Sequence, residues 1–117
     1  GVAALQERLE AGGFDQAERV AAELAARAGA GALSESDLNN WGYRLLSRGR
    51  VADALTLMKL IVSLYPQSGN AYDSLAEAYA RSGDRVRARE NYQRSLALDP
   101  ANANAVEQLR LLGTQPS

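Results

Sequence analysis

Neither cysteine nor histidine occurs in the 117 residues, and proline is confined to Pro66, Pro100 and Pro116. Without cysteine there are no disulfides and no thiolate metal sites. Without histidine the commonest general base and the commonest metal ligand are both missing. No apolar run approaches the roughly 20 residues a membrane-spanning helix needs, and the longest, Leu60–Leu64, is interrupted by Ser63. The formal charge of −1 gives no field that would call for nucleic acid or an anionic membrane. Lysine is almost absent too: Lys59 stands alone beside twelve arginines. The chain opens on Gly1 without a Met or a signal peptide, so it reads as a piece of a longer protein. A cytoplasmic location is favoured, and an exported parent protein is compatible.

What is present favours helix. Hydrophobic residues make up 46% of the chain, alanine is abundant, and long stretches hold no proline. A period runs through the second half, because Pro66 and Pro100 stand 34 apart. The same offset relates Gly49 to Gly83, Ala54 to Ala88, Leu64 to Leu98, and the cap candidates Ser34, Ser68 and Asn102. Each recurring residue has a mechanical job. Ser and Asn accept hydrogen bonds from free N–H groups at a helix start, and Ser34 with Asp37 approximates a capping box. Gly49 and Gly83 suit the left-handed turn that ends a first helix, and the prolines stop a second. Apolar residues recur between these marks at helical spacing: Leu38, Trp41, Leu45, then Ala54, Leu57, Met58, Ile61. The next unit reads Tyr72, Leu75, Tyr79, then Ala88, Tyr92, Leu96.

Over 34–112 the chain resembles the tetratricopeptide repeat (TPR) family. With Glu35 and Gly69 opening successive repeats, large residues of the family pattern fall on Leu38, Trp41, Leu45 and Met58, then on Tyr72, Leu75, Tyr79 and Tyr92. Small ones fall on Gly42 and Ala54, then Ala76, Ala88 and Ser95, with Pro66 and Pro100 closing. Ile61 departs from the small residue usual at its place, which predicts a slightly wider gap there. The resemblance implies an all-α, right-handed TPR solenoid of antiparallel hairpins, about seven helices in a single domain 1–117. Residues 1–33 form a degenerate first repeat, 35–68 and 69–102 two full ones, and 103–112 a capping helix. That helix carries the stripe Ala105, Val106, Leu109, Leu112 inward and Glu107, Gln108 and Arg110 outward, and Gly113–Ser117 is expected to fray.

Features that invite a chemical reading have plainer alternatives. Asp73 and Glu77 share a helical face, but nothing beside them supplies a nucleophile or third ligand, so they read as a polar wall. Thr56–Lys59 carries Thr where a hydrolase motif needs Ser. Arg81, Arg85, Arg87, Arg89 and Arg94 could bind phosphate; Arg85, Arg87 and Arg89 are expected to point to different sides of one helix as a solvated face. Trp41, Tyr72, Tyr79 and Tyr92 read as packing residues. No cofactor, metal, nucleic-acid or membrane partner is expected.

The resemblance places a concave groove on the first helix of each repeat. It is lined by Asn39, Tyr43 and Leu46, then Asn70, Asp73, Glu77 and Arg81, then Asn104 and Glu107, with Ser36, Ser47 and Ala80 nearby. Asp73, Glu77 and Glu107 against Arg81 leave that face acidic, so a basic or neutral peptide is expected, one apolar side chain near Tyr43 and Leu46. TPR domains that clamp a C-terminal carboxylate place cations where this chain has Asn39, Tyr43, Ser74, Asn104 and Gln108, so that clamp is not expected. The leading reading is therefore a non-enzymatic protein-interaction scaffold binding a peptide or partner protein. Two others stand beside it. The phrasing of Leu45-Leu46, Tyr72-Asp73-Ser74-Leu75 and Glu77-Ala78-Tyr79 resembles TPR tails of bacterial serine hydrolases, and exposed ends of a helical stack could make a homodimer.

Overall fold

The structure, a computed structural model, describes residues 1–114. Seven α-helices follow one another: α1 (Val2–Gly12), α2 (Ala17–Ala28), α3 (Glu35–Ser47), α4 (Val51–Leu64), α5 (Gly69–Ser82), α6 (Arg85–Leu98) and α7 (Ala103–Thr114). Single 3-10 turns at Phe14–Gln16 and Ala30–Ala32 flank α2. No strand occurs among the described residues, and the fold is all-α.

The punctuation residues act as their chemistry dictates. Ser34 Oγ accepts from the Asp37 N–H at 3.3 Å, Ser68 Oγ from Ala71 at 3.1 Å, and Asn102 Oδ1 from Ala105 at 3.2 Å. Gly49 and Gly83 take φ of 76° and 89°, and their N–H groups bond back to Leu46 and Ala80. Asp84 adds a cap to α6, accepting from the Arg87 N–H at 3.1 Å. Helices α4 and α6 end just before Pro66 and Pro100.

Two compact units result, Gly1–Ile61 and the segment from Val62 on, so the division falls inside α4 rather than at a repeat boundary. The first unit buries Leu5, Leu9, Val20, Leu33, Leu38, Trp41, Leu45, Leu57 and Met58 almost completely. The weakly patterned 1–33 stretch thus contributes two core-forming helices, although Leu24 is only half-buried. A Cβ on Gly42 would lie 2.8 Å from the Met58 methyl group, which is why the small residue stands at that crossing. Phe14, in the turn before α2, packs against Trp41 with ring centroids 5.5 Å apart and planes tilted by 46°.

The second unit has a smaller-grained core of Ala76, Ala88, Tyr92, Ala105 and Leu112, with Tyr79, Leu96 and Leu109 packed against it. Alanine at the crossings lets α5, α6 and α7 approach closely, and Tyr92 fills the space left. Two expectations need correction. Val106 is 55% exposed and not part of the buried stripe, because α7 turns Ala105 and Leu112 inward. The helix also continues through Gly113 to Thr114, whose hydroxyl donates to the Leu111 carbonyl at 2.9 Å. The remainder of the tail expected to fray, 115–117, lies outside the described residues.

Candidate functional site

The second unit brings several expected groove residues together, in a different role from the one expected. Asp73, on α5, is 8% exposed. Its Oδ2 accepts from Asn102 Nδ2 at 2.7 Å, and both its oxygens accept from Asn104 Nδ2 at 3.1 Å. The Asn102 amide also donates to Ser95 Oγ at 2.9 Å, and that hydroxyl donates to the Gly69 carbonyl at 2.7 Å. Gln108 Nε2 reaches Asn104 Oδ1 at 3.4 Å. This chain of polar groups joins the start of α5, the end of α6 and the first turn of α7. A buried carboxylate needs such donors, since an unpaired one is costly to desolvate. Asp73 is therefore a structural acceptor and not a free groove carboxylate.

Beside this network lies a cavity of about 350 Å³ lined by Glu77, Ala80, Arg81, Tyr92 and Gln108. Glu77 and Arg81 stand one turn apart on α5, and Gln108 reaches in from α7. Asn70 and Asn104 are exposed, as is Glu107. Glu107 pairs with Arg110 at 2.6 Å, and that hydrogen bond holds its carboxyl below the usual carboxylate range against partial desolvation. With Glu107 paired to Arg110, this face is less acidic than its count of carboxylates implies.

The first unit carries the remaining expected residues. Asn39 and Tyr43 are half-buried on α3. Asn39 Oδ1 is buried and accepts no hydrogen bond among the described residues. Leu46 is 1% exposed and belongs to the core, which corrects its assignment as an apolar contact for a ligand. No group of acidic side chains able to hold a metal ion occurs among the described residues.

Sequence reasoning missed Gln108 and Tyr92 as cavity lining, and Asn102 as the second donor to Asp73. The signal for Asn102 was available: an Asn cap uses only its oxygen on the helix and leaves an NH₂ to be satisfied. Tyr92 was read as core, which it is, and its edge still reaches the cavity.

Capped antiparallel helix pairs with alanine at their crossings define a helical-repeat protein. Residues 69–102 match the family model for the tetratricopeptide repeat. The chain carries that repeat and has the fold of its family. The putative cellulose synthase operon protein C of Escherichia coli O157:H7 is 32% identical over 63 residues, which is 54% of this chain and 6% of that protein. The cellulose synthase operon protein C of Escherichia coli strain K12 gives the same identity over 5% of its length. The match thus spans a small fraction of these curated relatives. Among solved structures, the first TPR of Spaghetti (RPAP3), bound to the HSP90 peptide SRMEEVD, is similar with a TM-score of 0.65. That similarity covers 93% of this chain and 84% of that one at 21% identity, and it carries the fold alone. MamA is similar with a TM-score of 0.63 at 26% identity, over 92% of this chain and 61% of that one. Tetratricopeptide repeats as a class mediate protein–protein interaction.

Proposed function

We propose that this chain is a non-catalytic interaction module that holds an extended peptide segment of a partner protein against the first-helix faces of its repeats. The observation that carries the reading is the α5–α7 cavity. Its wall offers Glu77 as acceptor, Arg81 as donor, and the Gln108 amide, which both donates and accepts. A peptide backbone needs that mixture. In the first unit, Asn39 and Tyr43 offer an amide and a half-buried phenol for a second stretch of chain. Leu46, being buried, gives shape to α3 and no contact.

Catalysis fits poorly. With neither Cys nor His, the Asp73–Glu77 carboxylates would have to supply the acid–base chemistry, and Asp73 is occupied by two amides. The acidic HSP90 peptide held by the structural neighbour is a poor fit as well, because Asn39, Tyr43, Ser74, Asn104 and Gln108 bring no cation.

The test is a random peptide library selected on the wild type, Glu77→Lys and Tyr43→Ala. Asp73 is left intact because its loss would act through folding. Affinity near micromolar, about −8 kcal/mol, is expected. Glu77→Lys should shift selection from neutral or basic peptides toward acidic ones, and Tyr43→Ala should weaken binding about tenfold. Unchanged selection in both variants would sink the reading.

A further inference from the structure

The hydrogen bonds around Asp73 run in one direction, set by backbone groups. Asn102 Oδ1 accepts from the Ala105 backbone N–H at 3.2 Å, and that N–H can only donate. The Asn102 NH₂ is therefore the end that faces the interior, where it donates to Asp73 Oδ2 and to Ser95 Oγ. The Ser95 hydroxyl, 0% exposed, gives its own hydrogen to the Gly69 carbonyl, which can only accept. None of these side chains can turn over without leaving a backbone partner unmatched.

Asp73 carries that order outward. A carboxylate accepts through both oxygens and has no hydrogen to give, so Asn104 turns its NH₂ inward, with Nδ2 at 3.1 Å from each oxygen. Asn104 Oδ1 is then the end left for its neighbour one turn along α7, and Gln108 Nε2 donates to it at 3.4 Å. The nitrogen of the Gln108 amide is thus drawn toward Asn104, and its oxygen is the end turned away. Gln108 lines the cavity with Glu77, Ala80, Arg81 and Tyr92, whereas Asn104 stands outside the lining.

We propose that Asp73 is a positioning residue for ligand specificity: through Asn104 it holds the Gln108 amide with Oε1 toward the cavity, so the partner side chain set against Gln108 carries an N–H donor. This role rests on the peptide reading above and adds the chemistry that the bound segment has to bring. An unrestrained amide would turn over and serve donors and acceptors alike. One held through a buried carboxylate discriminates, because an acceptor placed against Oε1 leaves two oxygens facing each other with no hydrogen between them.

The probes are two fluorescein-labelled pentapeptides, Ala-Ser-Gln-Ser-Ala and the same peptide with methionine sulfoxide in place of Gln. Both side chains are neutral and of similar length, but the sulfoxide only accepts. Each is titrated into the full chain with amide chemical shifts recorded in parallel. Wild type should bind the Gln peptide about tenfold tighter than the sulfoxide, with shifts at Glu77 and Gln108. Asp73→Asn keeps the shape and one oxygen, frees the polarity of Asn104, and should shrink that preference to within about twofold. Adding Gln108→Glu to Asp73→Asn should restore it, since a carboxylate accepts in any orientation; a purely structural role for Asp73 would show no such rescue. Circular dichroism keeps folding apart from binding, and if Asp73→Asn fails to fold, Asn104→Ala breaks the relay at its exposed link and should abolish the preference instead. If neither peptide binds at millimolar concentration, or shifts arise away from the cavity, the groove reading falls and this role with it. If both bind wild type equally at the cavity, this role alone is overturned. A preference that persists in Asp73→Asn, or in Asn104→Ala, overturns it as well.

Discussion

The two units solve one packing problem with different chemistry. In the first, large apolar and aromatic side chains carry the contact: Trp41, Phe14, Met58 and a set of leucines. Polar groups there sit at the rim, where Arg50 lies 5.4 Å from the Phe14 ring centroid and bonds Glu10 at 2.9 Å and Asp53 at 2.9 Å. In the second unit the apolar core is built largely of alanine and Tyr92, and a buried carboxylate held by two amides lies beside it. The difference teaches where register comes from. Close-packed large side chains define register by volume, whereas alanine crossings are permissive. A directional hydrogen-bond network restores uniqueness there, because a slip of α7 would strand Asp73 without donors.

Trp41→Ala should break the first side of this comparison hardest. Removing a buried indole that is 1% exposed and packed against Phe14 should cost about 3–5 kcal/mol, read by chemical denaturation followed by circular dichroism. A loss under about 1 kcal/mol would mean that the first unit does not depend on volume as argued.

Asp73→Ala tests the other side. It leaves the Asn102 and Asn104 amides without their acceptor and should cost about 2–3 kcal/mol, with faster hydrogen exchange at Ala105 and Leu112. If the stability and exchange of the variant match wild type, the network does not hold α7.

The smallest effect sharpens what the rim contributes. Glu23 is held below the usual carboxylate range, first by its hydrogen bond from Arg8, against desolvation, and then by Arg19; Asp84 and Glu107 are held down by Arg87 and Arg110. Depressed carboxylate pKa values give stability that is present at neutral pH and lost as pH falls through the folded-state values. The exposed pairs make that loss slight. The triple variant Glu23→Gln/Asp84→Asn/Glu107→Gln should therefore melt close to wild type at low pH and slightly below it at pH 7. A larger gap in acid than at pH 7 would contradict this linkage.

Much of the fold was legible because its determinants are local. Ser34, Ser68 and Asn102 cap because a side-chain oxygen sits next to free N–H groups; Gly49 and Gly83 turn because they lack a Cβ; Pro66 and Pro100 stop helices because they lack an N–H. The alternation of Ala54 and Ala88 with large residues announced which faces meet. The site was legible only as a list of residues on one helical face. Whether Asp73 is free or engaged, whether Leu46 looks out or in, and whether Val106 is covered depend on which helices converge there. No spacing along one helix carries that information. The bond from Arg85 to the end of α7 is of the same kind: the arginine was visible in the sequence, but the Leu112 carbonyl it reaches lies 27 residues away. Backbone chemistry acts over a single turn and is written in the sequence; desolvation and charge pairing act across space, and only the tertiary structure decides them.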